Sequence, residues 1–301
     1  MNNKTFAWLV LSTATALVEG EAFAVEALTP FQPGATTGTA AGALPPPGLY
    51  ARYNVQFSGG QLKNSDGDNV DVHVRQIVNT PALLWSTDYQ ILGGRYGAAI
   101  AKPLSLSKKS DATGIGGEKT HSKGTFNTVL TPIIISWNLG AGFFTSAGLG
   151  IYFPDGTYRH KGAVTSSTSY ANNYWTLEPK FGVSYLKDGW NLSLNTLLNF
   201  NSKNTTTDYR SGNLVSFDAT ATKNFGQWSA GLVGNYTKQF TDDRQSGEIV
   251  DDGHRVENVL LGPYLGYDFG PAQTSVRYLK GLHAENGINV SFLHVSVAFK
   301  I

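Results

Sequence analysis

The closing stretch, Asn289 to Ile301, constrains the fold more than any other part of the chain. Leu293, Val295, Val297, Phe299 and Ile301 share one face at period two, while His294, Ser296, Ala298 and Lys300 share the other. That alternation is a strand with one apolar and one small or polar face. It suits a wall with lipid outside and water inside, and marks Asn289–Ile301 as the closing strand of a transmembrane barrel.

Composition agrees. The 301 residues include Gly 34, Tyr 14, Phe 16 and Trp 6, and only 15% of the chain is charged. A net charge of +1 leaves no basic footprint for nucleic acid. Without cysteine there is no disulfide framework and no thiol nucleophile. At the start, Lys4, the uncharged run Thr5–Val18 and the small residues of Ala22-Phe23-Ala24 read as a secretory signal peptide over residues 1–24. No later run has the ~20 apolar residues of a spanning helix, and lipidation would need a cysteine. An exported chain of this kind is then soluble or a barrel.

Residues 25–47 are rich in Pro, Gly, Ala and Thr and read as an N-terminal leader. The expectation is a periplasmic linker; the alternative is a segment that lies in the lumen and partly obstructs it. From Gly48 the chain breaks into alternating segments: Gly48–Phe57, Val70–Thr87, Arg95–Leu106, Thr125–Asn138, Phe143–Pro154, Tyr174–Tyr185, Trp190–Asn201, Tyr209–Lys223, Trp228–Gln239, His254–Phe269, Ala272–Leu279 and Asn289–Ile301. In the seventh, Trp190 and Phe200 end an apolar row, as two membrane interfaces require. Short connections such as Lys187-Asp188-Gly189 alternate with longer polar ones such as Ser107–Gly124 and Asp155–Asn173. The predicted fold over residues 48–301 is an all-β, transmembrane, antiparallel up-and-down β-barrel of about twelve strands. A secreted β-sandwich explains the alternation but not the asymmetry of the loops.

Alternation places Arg52, Arg95, Glu178, Lys180, Asp218 and Arg277 on the inward faces as pore-lining residues. Charges in a narrow lumen need partners, so these residues are expected to form a partly neutralised network. It either selects solutes or braces the wall. His294-Val295-Ser296 spaces a base and a nucleophile as an acyl hydrolase could, but such a site must face lipid, and the register turns both side chains inward. The six His make no close pair, and Asp66-Gly67-Asp68 and Asp242-Asp243 lack the spacing of a calcium loop. Gly114-Ile115-Gly116-Gly117 lacks the strand-to-helix context of a phosphate loop. The reading is of a protein that is not an enzyme and uses no metal or cofactor.

Several short motifs, in order, carry a resemblance: Gly93-Gly94-Arg95-Tyr96, Thr131-Pro132 with Trp137, Pro154-Asp155-Gly156-Thr157-Tyr158, Asn173-Tyr174-Trp175 with Pro179, Phe217-Asp218, Gln239-Phe240-Thr241-Asp242-Asp243 and Gly262-Pro263 with Tyr267. Together they resemble the phenol-degradation meta-pathway transporters of the outer membrane, over nearly the whole chain after residue 24. The chain departs from that pattern at Asp155 and in ending on Ile301, where a terminal Phe is usual. The resemblance implies a monomeric barrel in the bacterial outer membrane that takes up small hydrophobic or aromatic molecules. Its expected partners are outer-membrane lipid and lipopolysaccharide, the solute, and the barrel assembly machinery. The expected mechanism is capture by the outer loops, passage past the six charged residues and release to the periplasm, with Ser107–Gly124 and Asp155–Asn173 folding inward as a gate. The alternative is a closed barrel acting as a surface adhesin or structural protein.

Overall fold

The computed structural model describes residues 31–161, 164–166 and 168–301; the expected signal peptide and residues 25–30 lie outside them. Twelve antiparallel strands form one closed wall. They are β1 (Gly48–Lys63), β2 (Asn69–Ile91), β3 (Gly94–Ala101), β4 (Thr128–Gly140), β5 (Phe143–Phe153) and β6 (Thr176–Tyr185), then β7 (Trp190–Asn201), β8 (Leu214–Phe225), β9 (Trp228–Gln239), β10 (Glu257–Asp268), β11 (Ala272–Glu285) and β12 (Gly287–Lys300). Every strand pairs with its neighbours in sequence, and β1 pairs with both β2 and β12, so no edge is left open. The seam is in register from Tyr50↔Lys300 to Lys63↔Gly287.

Both ends of the wall and the short turns lie at one mouth. Three of these turns use a residue-glycine pair with positive φ at both positions: Leu92-Gly93, Ala141-Gly142 and Asp188-Gly189. That is the geometry that matches strand twist in a tight hairpin. The other mouth carries the longer connections, with differences from the sequence reading. β1 runs on to Lys63 and β2 begins at Asn69, so most of the expected loop Gly59–Asn69 is strand. Ser107–Gly124 is largely a hairpin, Leu104–Asp111 paired with Lys119–Thr125, which adds to the wall beside β2 and does not fold inward as a gate. β8 starts at Leu214; Tyr209-Arg210 instead pairs with Arg244-Gln245 in an outer loop. β11 continues to Glu285 and turns into β12 through Asn286 alone, at φ 47.

The side chains sort by height. At one level Leu83, Phe181, Leu194, Leu232, Leu265 and Val295 are exposed and face outward. An exposed apolar belt of that extent on a single chain is a surface for lipid. Aromatic pairs rim it: Phe143–Tyr185 (4.9 Å) and Trp228–Tyr267 (4.7 Å) near the short turns, and Phe153–Trp175 (5.0 Å) near the long loops. Beyond the belt, on β1, β2 and β12, the pattern reverses. Asp71, His73 and Arg75 are exposed on the outside, while Val72, Val74, Ile288, Val290 and Phe292 line the interior. Both tiers use period two, and only the phase of polarity changes.

Candidate functional site

The leader corrects the expectation of a periplasmic linker: from Phe31 to Pro47 it lies inside the barrel. A segment without strand or helix must still satisfy its backbone groups, and here the wall supplies the partners. Near the short-turn mouth Arg95 donates from Nη2 to the carbonyls of Leu44 and Pro45, the latter at 2.9 Å. Farther in, Ser184 Oγ accepts from Gly42 N (2.8 Å), and Ser136 and Ser146 donate to the carbonyls of Gly42 and Ala41 (both 2.8 Å). Backbone meets backbone here. A Cβ on Gly42 would lie 2.5 Å from the Phe144 carbonyl, and one on Gly182 would lie 2.2 Å from that of Ala41.

At mid-height the leader bends at Gly34 and Gly38, both at positive φ. Asp218 holds this bend, accepting from Gly34 N (3.1 Å), Thr36 N (2.9 Å) and Thr36 Oγ1 (2.6 Å), and it also accepts from Asn235 Nδ2 (2.7 Å). Arg277 holds it from another wall, donating from Nη1 to Thr37 O (3.0 Å) and from Nη2 to Ala35 O (3.2 Å). Asp218 and Arg277 are 2% and 1% exposed, so the leader covers them. Phe31 ends the described leader against Tyr152, Leu197 and Leu214.

The six charged residues assigned to the lumen fall into two sets. Arg95, Asp218 and Arg277 clasp the leader. Arg52, Glu178 and Lys180 line the open space beside it. Glu178 Oε1 pairs with Lys180 Nζ at 3.1 Å, and Oε2 accepts from Tyr152 (3.1 Å) and Asn199 (3.0 Å); Lys180 also reaches Thr131 Oγ1 at 3.2 Å. The network expected to span all six is thus divided by a segment that the alternation argument did not include.

The open space is one cavity of ≈ 1970 Å³. It reaches from the outer hairpin tip at Ile115–Gly117, past the leader, to Gly270-Pro271 at the short-turn mouth. Its outer part is walled by Leu62, Val72, Val74, Ile288, Val290 and Phe292, and Ser169 and Ala171 of the Asp155–Asn173 connection overhang it. Lys108 also reaches this space, 5.3 Å from the centroid of the Tyr170 ring, and burial pushes its ammonium down to about 8. Ser122 Oγ lies 2.6 Å from the Tyr170 hydroxyl.

His294 and Ser296 both face inward. Gln32 Nε2 and Asn54 Nδ2 lie 3.0 and 3.3 Å from the His294 ring nitrogens, and Ser296 donates to Asn54 Oδ1 at 2.5 Å. No hydrogen bond joins His294 to Ser296 among the described residues. Of the acidic loop residues, Asp242 meets Arg255 Nε at 2.7 Å. Asp243 is buried, accepting from Tyr209 (2.5 Å), Gly212 N and Gln239; burial raises its carboxyl above the usual range. Among the described residues no group of three His, Asp or Glu is placed to hold a metal ion.

Sequence reasoning placed Arg95, Asp218 and Arg277 in the lumen but missed the serines that receive the leader and the residues that make the outer apolar wall. A signal existed for the second set: Val70, Val72 and Val74 alternate with Asp71, His73 and Arg75 in the phase that turns valine inward. For the first, Ser136, Ser146 and Ser184 are small polar residues on inward faces, which leave room for a further segment.

A family model for the "MetA-pathway of phenol degradation" matches residues 59–289. No curated protein sequence matches the chain. The fold is similar to that of an outer membrane channel from Pseudomonas putida F1, at a TM-score of 0.76 and 15% identity, covering 88% of this chain and 98% of that one. The translocator domain of the autotransporter NalP from Neisseria meningitidis follows at 0.49 and 12%, over 84% and 88% of the two chains. The Pseudomonas putida toluene transporter TodX gives 0.44 and 10%, over 85% and 89%. At 15% identity the likeness to the first of these is one of fold.

Proposed function

The chain belongs to this family, whose model spans more than half of it, and on that premise we propose that it is an outer-membrane channel for passive uptake of small hydrophobic molecules, aromatic ones among them. The observation that carries the reading is the apolar inner wall of the outer tier. Val72, Val74, Ile288, Val290 and Phe292 turn toward the cavity at a height where Asp71, His73 and Arg75 face outward. Apolar side chains toward a water-filled space are unfavourable unless something apolar visits them, at roughly 25 cal/mol for each Å² covered. A solute leaves water for this wall, moves down beside the leader past Arg52, Glu178 and Lys180, and exits at the short-turn mouth into the periplasm.

In this reading the protein works as a monomer in outer-membrane lipid, with lipopolysaccharide around the charged outer tier, after insertion by the barrel assembly machinery. Transport uses neither cofactor nor covalent chemistry. The leader sets the width of the path. Relative to protein-free liposomes, proteoliposomes should speed the entry of benzyl alcohol more than that of a sugar of similar size, and removal of residues 31–45 should raise single-channel conductance in a planar bilayer. An equal gain over protein-free liposomes for both solutes would end the substrate claim, and an unchanged conductance would end the role of the leader. That the leader crosses the lumen favours a second reading, a closed barrel acting through its outer loops; it predicts no flux of either solute above that of protein-free liposomes.

A further inference from the structure

Of the six charged residues assigned to the lumen, Arg52, Arg95, Lys180 and Arg277 are cations and Glu178 and Asp218 are carboxylates. Both carboxylates are engaged: Glu178 with Lys180, and Asp218 with the amides of Gly34 and Thr36. Arg95 and Arg277 are met by leader carbonyls, which carry no net charge. Arg52 makes no hydrogen bond and no ion pair among the described residues. It faces the cavity from β1, two residues below Asn54 and across the seam from Ala298.

Arg277 stands farther up the wall, its Nη2 3.4 Å from His294 Nδ1. Tyr264 stands directly opposite Arg277 in the β10–β11 pairing and lines the same cavity. Arg277 Nε is buried and has no hydrogen-bond acceptor. Arg52 and the Tyr264 phenol thus line one cavity, while Arg277 is held by the leader and the Asp218 carboxylate is already engaged by leader amides. A guanidinium without an acceptor in a low-dielectric wall holds a strong preference for an anion, and the planar fork of arginine fits a carboxylate.

We propose that Arg52, with Tyr264 lining the same cavity, is an anion-binding station in the path, and that the solutes it selects are small apolar molecules bearing one carboxylate. The proposal rests on the channel reading, with the apolar outer wall receiving the body of the solute first and Arg52 its charge later. From Phe292, opposite Ser58, to Arg52 is six residues along β1, roughly 20 Å at strand rise, so the two regions act in succession.

The test compares benzoate with benzyl alcohol, which has the same ring and no charge. With the full chain in detergent micelles, calorimetry should show benzoate bound about tenfold more tightly. Arg52→Gln should abolish that preference, Arg52→Lys should keep part of it, and Arg75→Gln on the outer face should leave it intact. Equal affinities, no benzoate binding, or a preference that survives Arg52→Gln would overturn the proposal. A second measurement needs no variant: the wild-type reversal potential in a potassium chloride gradient should report chloride preference, and cation preference would also overturn the proposal. Benzyl alcohol flux in proteoliposomes, above that of protein-free vesicles, tests the channel reading separately. Its absence together with Arg52-dependent benzoate binding would remove the channel and keep the anion site.

Discussion

Within β2, Leu83 and Trp85 face outward and Ala82 and Leu84 face the lumen, whereas farther out on the same strand Asp71, His73 and Arg75 face outward and Val72 and Val74 face the lumen. Backbone and pairing are alike in the two tiers. What differs is the medium on each side: lipid outside the lower tier, water outside the upper one. A strand does not record which face is the core; it records which face meets which solvent, and a strand long enough to leave the membrane changes that relation midway. The apolar interior of the upper tier resembles that of a water-soluble barrel, and the proposed uptake reading uses that likeness.

The contrast can be broken most forcefully in the belt. Leu194→Arg puts a charge against hydrocarbon and should remove about 2–4 kcal/mol of stability, read by denaturant unfolding in lipid vesicles. His73→Arg, at the outer tier, should stay within about 0.5 kcal/mol in the same assay. Next in size is the clasp. Asp218→Ala removes a buried acceptor of several hydrogen bonds, each charge-assisted bond being worth about 1.5–3 kcal/mol. It should free the leader before it unfolds the wall. The chain has no cysteine, so Thr37→Cys, at a position with 0% exposure, gives a clean reporter. Its thiol should resist maleimide in the parent background and react in the Asp218→Ala background.

Two smaller effects sharpen the comparison in the upper tier. Val290→Ser should weaken benzyl alcohol binding by about 1 kcal/mol through lost apolar contact, while Arg75→Ser on the other face leaves it unchanged in the same titration. The smallest concerns the hairpin tip. Hydrogen bonding from Thr113, reinforced by Lys119, holds the Asp111 carboxyl at about 2, below its ordinary value. A depressed carboxyl contributes stability that is present above the ordinary range and lost as pH falls through the depressed value. Protection of the Thr113–Ile115 amides, taken relative to intrinsic exchange rates, should therefore fall between pH 4 and about 2, and Asp111→Asn should flatten that dependence.

The wall was legible in the sequence because lipid imposes a strict alternation: Trp190, Leu192, Leu194 and Phe200 could face only one way. Strand ends were less legible. Gly59-Gly60 has the composition of a turn, yet both glycines continue β1, paired with Arg75-Val74 on one side and Ser291-Val290 on the other. Of the charged six, alternation gave the face but not the partners. Arg95, Asp218 and Arg277 bind a segment distant in sequence, and alternation along a strand carries no information about what else enters the lumen. Nor could composition place the leader, since Pro, Gly, Ala and Thr suit a solvated linker as well as a narrow cavity where only small side chains pass.

The path of the leader ties the interior to the seam. Its residues touch β3 through β12 from inside, while Pro47 runs directly into Gly48 at the seam. Without it, Asp218 and Arg277 lack their principal partners, which leaves the interior in a higher-energy, wetter condition. The filling of the lumen is thus covalently anchored to the strand that closes the wall, so a cut between Pro47 and Gly48 would turn an intramolecular plug into a dissociable peptide.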